Sequence, residues 1–106
     1  MGKYEAHNLL GIMYYYGDGI EKDKSEAARL LRIAIKKGIT EHVFLYATMK
    51  RDGDGISVDK KEAAQFYRIG VENDDIYSIY ALACMLFHGD GIPVDKYEAG
   101  QLFKLG

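Results

Sequence analysis

The 106-residue chain carries a formal charge of −2, with 48% hydrophobic and 28% charged residues. It is one domain's worth of sequence, too apolar for a disordered chain and without the basic excess that draws nucleic acid or anionic membranes. Cys84 is the single cysteine, which excludes an intramolecular disulfide and a thiolate zinc cluster.

The first residues, Met1 to Glu5, hold no apolar stretch of the kind a signal peptide needs. From Tyr4 to Tyr16, Ala6, Leu10, Met13 and Tyr14 recur at helical spacing, which predicts a helix over 4–16 stopped by Gly17. Asp23 opens a second helix over 24–37. With Glu26 it forms a capping box, in which the first carboxylate takes N–H groups of the opening turn and the second reaches back to the cap. Ala27, Leu30, Leu31 and Ala34 are its inward positions, and Gly38 ends it. Thr40 is the expected cap of a third helix over 40–52, closed by Gly53. Asp59 and Glu62 repeat the capping box for a fourth helix over 60–73, with Ala63, Phe66, Tyr67 and Gly70 inward. Asn73-Asp74-Asp75 ends that helix, and Asp75 caps a fifth over 76–88, closed by Gly89. Asp95 and Glu98 open a sixth over 96–105, with Ala99, Leu102, Phe103 and Gly106 inward. Val58 and Val94, just before their caps, are placed to staple onto Ala63 and Ala99. The small Ala34 and Gly70 point to close helix–helix approach. The longest apolar run, Ile79–Phe87, falls far short of the ~20 residues of a membrane span.

These elements repeat. Gly-Asp-Gly-Ile stands at Gly17–Ile20, Gly53–Ile56 and Gly89–Ile92, a period of 36 without insertion. Asp23-Lys24, Asp59-Lys60 and Asp95-Lys96 keep that register, as do Met13, Met49 and Met85. A fixed period of this length marks a solenoid. The expected architecture is an all-α solenoid of three helix-turn-helix repeats, about 4–38, 39–74 and a shortened 75–106, forming one domain over 1–106. Gly17, Gly19, Gly53, Gly55, Gly89 and Gly91 are its structural turn residues, and the six acidic capping-box residues its helix caps.

The run Ala6-x-x-x-Leu10-Gly11-x-Met13-Tyr14-x-x-Gly17-x-Gly19-Ile20-x-x-Asp23-x-x-x-Ala27 closely resembles the Sel-1-like repeat, a branch of the tetratricopeptide-like helical repeats. In the later copies Ala6, Gly11 and Tyr14 become His42, Ala47 and Lys50, then Ser78, Ala83 and Leu86. The resemblance implies a right-handed superhelix of antiparallel helix pairs, whose first helices line a concave face, and an adaptor role. It also implies groove positions: Glu5, Asn8, Ile12, Tyr15 and Tyr16 in the first repeat, Glu41, Phe44, Thr48, Arg51 and Asp52 in the second, and Tyr77, Tyr80, Cys84, Phe87 and His88 in the third. Helical spacing independently sets Asn8, Ile12 and Tyr15 opposite the Ala6/Leu10/Met13 face. Rigid aromatic side chains suit such a groove as anchors. Phe44, Tyr80 and Phe87 also have a packing role open to them, against neighbouring repeats.

Other chemistry finds little footing. The segment from Asp52 resembles a calcium loop but has Ile56, Ser57 and Ala63 where an EF-hand needs an oxygen ligand, Gly and Glu. His7, His42 and His88 lack i,i+4 pairing, no nucleophile–base pair can be argued, and the Gly-Asp-Gly-Ile turn is too short and acidic for a phosphate cradle. Members linked to β-lactams carry a cysteine pair in each repeat, which this chain does not. Lys24, Lys60 and Lys96 read as solvated surface. The expectation is a non-enzymatic scaffold, without cofactor or metal, that binds another protein or peptide and neither nucleic acid nor membrane. Self-association through the solenoid ends stays open. The alternatives are a structural spacer within a longer array and a groove-based hydrolase. A cytoplasmic location is favoured by the single cysteine and the lack of a leader.

Overall fold

The computed structural model describes residues 2–106; Met1, part of the leader reading, lies outside them. Six helices follow one another: α1 (Lys3–Tyr16), α2 (Lys24–Lys36), α3 (Val43–Asp52), α4 (Lys60–Glu72), α5 (Ile76–His88) and α6 (Lys96–Leu105). No strand occurs among the described residues. The helices pack as pairs, α1 on α2, α3 on α4 and α5 on α6, and the pairs stack through α2 on α3 and α4 on α5. The result is elongated, 43 × 27 × 18 Å.

Each pair is closed by the same turn. Gly17, Gly53 and Gly89 end the first helices in the left-handed region (φ 69°, 72° and 68°) and donate to Met13, Met49 and Met85 carbonyls. The following Asp18, Asp54 and Asp90 N–H groups donate to those same carbonyls. The second glycine of each turn is also at positive φ, 81°, 80° and 75°. Asp23, Asp59 and Asp95 then cap the second helices, each accepting through Oδ1 from the N–H of Glu26, Glu62 or Glu98 at 2.9–3.0 Å. The reciprocal half of the capping box does not form. The cap N–H groups instead donate to carbonyls of the preceding helix, Tyr14, Lys50 and Leu86, at 2.8–2.9 Å, which ties the two helices together and frees the glutamates for other partners. Val58 and Val94 stay more than half exposed; a Cβ at Gly53 or Gly89 would fall 2.7 or 2.5 Å from their Cγ2 atoms, so they cover the turn.

Helix α3 departs from expectation. It starts at Val43, and Thr40 does not cap it: residues 40–42 form a turn in which Val43 N–H donates to the Thr40 carbonyl. Glu41 and His42 are engaged by α1, where the Asn8 amide donates to Glu41 Oε1 (3.0 Å) and accepts from His42 Nδ1 (3.2 Å). By contrast Asp75 does cap α5, accepting from the Tyr77 N–H (3.4 Å) and the Ser78 hydroxyl (2.5 Å).

The core runs along the stack. Ala27, Leu30, Leu31, Ala34, Ala63, Phe66, Tyr67, Gly70, Ala99 and Leu102 are buried as their spacing indicates. Tyr46 and Phe66 meet edge to face at 4.7 Å in its centre. Phe103 and Gly106, expected inward, are exposed, and so are Ala6 and Leu10. Among the described residues no further repeat covers either end. At Gly70 the helices come closest: a Cβ there would lie 2.1 Å from Ser78 Oγ and 2.4 Å from Ser78 Cβ. Gly70→Ala should therefore destabilise the fold by about 1–3 kcal/mol, since backbone must shift. Gly100→Ala, a helical position whose added Cβ meets nothing within 4 Å, should instead stabilise by up to ~1 kcal/mol. Thermal melts of the two variants check the opposite signs; equal shifts would remove the close-approach account.

Candidate interaction face

Along the first-helix side α3 touches α5, and α1 reaches residues 41 and 42 just before α3, so residues 36 apart take equivalent positions in the three copies. Many groove candidates turn out to hold the repeats together. Asn8 is only 3% exposed, in the bridge to Glu41 and His42. Ile12 packs against the core. Phe44 sits between the rings of Tyr67 (5.9 Å) and Tyr77 (5.6 Å). The Thr48 and Tyr67 hydroxyls are 2.8 Å apart. Arg51 binds the Asp52 carboxylate through Nε and Nη2, with its guanidinium 5.9 Å from the Tyr67 ring centre.

The remaining aromatics face outward. Tyr16, Tyr77, Tyr80 and Phe87 are 64%, 63%, 65% and 42% exposed. Two edge-to-face pairs flank the middle repeat: Tyr15 with Tyr16 (4.9 Å) on α1, and Phe87 with His88 (5.0 Å) on α5. Between them, at the same positions of α3, stands the Arg51–Asp52 ion pair. Arg51, the half-buried Cys84, His88 and Asp90 line a cleft of about 450 Å³ beside this row. Aromatic, charged and aromatic stations therefore follow one another along the stack.

The stations are fixed by bonds that sequence reading missed. Lys24 Nζ pairs with Asp54 Oδ1 at 2.7 Å and Lys60 Nζ with Asp90 Oδ1 at 2.5 Å, so these lysines are not the solvated surface their pattern suggests. Arg32 reaches Glu62 at 3.1 Å and Arg68 reaches Glu98 at 2.7 Å. All four bridges join residues 30 apart, from one repeat to the next. The signal lay in the recurrence of both members, read one repeat out of step. The Tyr15 hydroxyl also donates to Asp54 (2.5 Å), which with burial and the charge of Asp54 pushes its pKa up to about 12. The Lys24 ammonium, helped by that hydroxyl, holds the Asp54 carboxyl below its usual range, and Arg68 does the same for Glu98. At Glu62 burial opposes ionisation, but hydrogen bonds from Tyr46 and Arg32 outweigh it and lower the pKa. The hydroxyl of Tyr46 is pushed up, by burial first and then by Glu62.

Among the described residues no group of three His, Cys, Asp or Glu side chains converges on a metal-sized site. Among the described residues no helix is long and apolar enough to cross a membrane.

Stacked, capped helix pairs joined repeat to repeat define an α-helical solenoid. The Sel1 repeat signature matches at residues 5–39, 43–75 and 76–106, and the chain belongs to the Sel1 repeat family. Proteins built on these repeats generally mediate protein–protein interaction and are typically non-catalytic. Among solved structures the chain is similar to c5321, described as a protective antigen present in uropathogenic Escherichia coli strains and displaying an SLR fold. They share 25% identity with a TM-score of 0.89 over 96% of this chain and 22% of that one. It is likewise similar to a Sel1 repeat protein from Oxalobacter formigenes, at 26% identity and TM-score 0.89 over 97% of this chain and 42% of that one. The chain thus spans less than half the length of either. No curated protein sequence matches it significantly.

Acid should loosen the stack before it melts single helices. The Asp54, Glu62 and Glu98 carboxyls titrate lower in the folded chain than in the unfolded one, so their stabilisation is complete above the unfolded values of about 4. It is lost as pH falls through the folded values. Thermal midpoints should hold steady down to about pH 5 and drop below pH 4, with a shallower drop in Glu62→Gln/Glu98→Gln. A drop of the same depth in the variant would show that these bridges do not set the acid limit.

Proposed function

We propose that the chain is an interaction scaffold that holds a segment of another protein along its first-helix face, the face that is concave in the solenoid geometry the family resemblance implies. One observation carries this reading: large aromatics stand exposed on α1 and α5, on a frame in which, among the described residues, every buried side-chain polar atom has a partner. Rigid rings bury much area at low entropic cost, and a pre-organised frame adds little ordering penalty. The order of stations describes the partner as an extended or helical segment with apolar anchors at both ends of the contact. Between them, polar side chains would meet the Arg51–Asp52 pair. Tyr16 and Phe87 are the proposed anchors, with Tyr15, Thr48, Arg51 and His88 as bordering contacts. Phe44, Ile12 and Asn8 support the face from beneath. The scaffold needs no catalytic step, and none is assigned to it.

Tyr16→Ala and Phe87→Ala test the proposal in a pull-down followed by titration against the recovered partner. Each should weaken binding about tenfold or more, ~1.4 kcal/mol, as removal of an interface anchor does. If both variants recover the partner as well as wild type, the face is not the binding surface. The spacer reading would then take its place.

A further inference from the structure

Where the second repeat receives Lys24, the lysine comes with a ring. Lys24 Nζ sits on Asp54 Oδ1 (2.7 Å) and lies 4.9 Å from the ring centre of Tyr15. The Tyr15 hydroxyl donates to the other oxygen, Asp54 Oδ2 (2.5 Å), so cation, carboxylate and phenol close on one another. One period on, Lys60 Nζ sits on Asp90 Oδ1 in the same way (2.5 Å), but Arg51 holds the place of Tyr15. That side chain turns aside, its Nε and Nη2 binding Asp52 at 2.8 and 3.1 Å. Among the described residues no ring lies against the Lys60 ammonium and no donor reaches Asp90 Oδ2. Lys96, the third lysine of the series, has its ring in Phe87 at 5.0 Å.

The missing ring leaves a space. The cleft of about 450 Å³ is bounded by Arg51 and Asp90, the counterparts of Tyr15 and Asp54. It therefore occupies, between the second and third repeats, the place that the Tyr15 ring fills between the first and second. Ala81 and Met85, 5% and 2% exposed, line it, and Ala81 stands where the preceding repeat has the larger Leu45. Helices α3 and α5 both contribute to its wall, so the cleft belongs to the interior of the stack and not to either end.

We propose that this cleft takes a tyrosine side chain of the partner, set as Tyr15 is set one repeat earlier. Its hydroxyl would donate to Asp90 Oδ2, its ring would lie against the Lys60 ammonium, and Ala81 and Met85 would lie beneath it. The inference rests on the binding-face reading and gives the segment between the Tyr16 and Phe87 anchors a definite residue. The chemistry selects against close relatives. A phenylalanine leaves Asp90 Oδ2 without its donor, and a phosphotyrosine brings its charge against the Asp90 carboxylate. Arg51 is already matched to Asp52, so it offers no free cation to an anion.

Titration of the chain with N-acetyl-tyrosinamide, followed by NMR at the Ala81 and Met85 methyl groups, is the test. Both signals should shift saturably, with half-saturation at ~1–5 mM, as suits a ligand of this size in an open site. N-acetyl-phenylalaninamide should bind about tenfold more weakly, the loss expected for a hydrogen bond to a charged acceptor. The phosphotyrosine and lysine amides should also bind more weakly than tyrosine. No saturable shift up to roughly 20 mM overturns the proposal, and so does a phenylalanine amide that binds equally well. A phosphotyrosine or lysine amide that matches tyrosine makes the cleft an anion or cation site and overturns it too. Arg51→Tyr supplies from the chain itself the ring that fills this place one repeat earlier, and should abolish the probe's shifts. A variant of wild-type helicity by circular dichroism that still binds the probe like wild type overturns the proposal; should the variant not fold, the wild-type series decides. The probe carries no partner segment, so its outcome is separate from that of the Tyr16→Ala and Phe87→Ala pull-down.

Discussion

Lys24 lies across the turn of the following repeat, its stem against Gly55 and its ammonium on Asp54, and Lys60 does the same over Gly91 and Asp90. That crossing explains the composition of the turn. The first glycine ends a helix in the left-handed region, the aspartate receives the lysine, and the second glycine leaves room for the lysine stem. An exposed ion pair adds little stability by itself. Here Asp54 also takes the Tyr15 hydroxyl, and Glu62 takes the Tyr46 hydroxyl as well as Arg32, so each of these two carboxylates orients two neighbours. Rotation between repeats, and with it the spacing of the outward aromatics, depends on that alignment.

Within a repeat, nearly everything was legible. Helical period, glycine stops and acidic caps are local signals, and each reported on a contact made within a few residues. The start of α3 was not legible, because Asn8 of α1 draws Glu41 and His42 into a bridge more than thirty positions away. The second half of the capping box failed for a related reason. Closing the helix pair uses the cap N–H; Glu62 and Glu98 then face the neighbouring repeat, while Glu26 turns to Arg29 of its own helix. At the binding face, residue type alone could not separate Phe44, packed between two rings, from Tyr80, which touches Phe103 edge to face and stays mostly exposed. That distinction depends on what lies one repeat further along.

A solenoid of this kind is close to one-dimensional, since each repeat meets only its neighbours. Its three repeats are alike in their turns and caps and differ on the outward face, where positions 15, 51 and 87 hold Tyr, Arg and Phe. The frame is therefore shared between copies while the outward side chains vary.

The late start of α3 leaves the three repeats unequally joined. Thirteen-residue α5 seats broadly on α4, whereas ten-residue α3 seats narrowly on α2, with a turn where the first helical turn would lie. Under tension along the stack, strain would gather at that narrower seat, and the first repeat would swing about it while the other two moved as a block. The Asn8 bridge and the Lys24–Asp54 pair act there as tethers across a hinge. The distance between Tyr16 and Phe87 therefore depends on how firmly the Asn8 bridge and the Lys24–Asp54 pair hold that narrower seat.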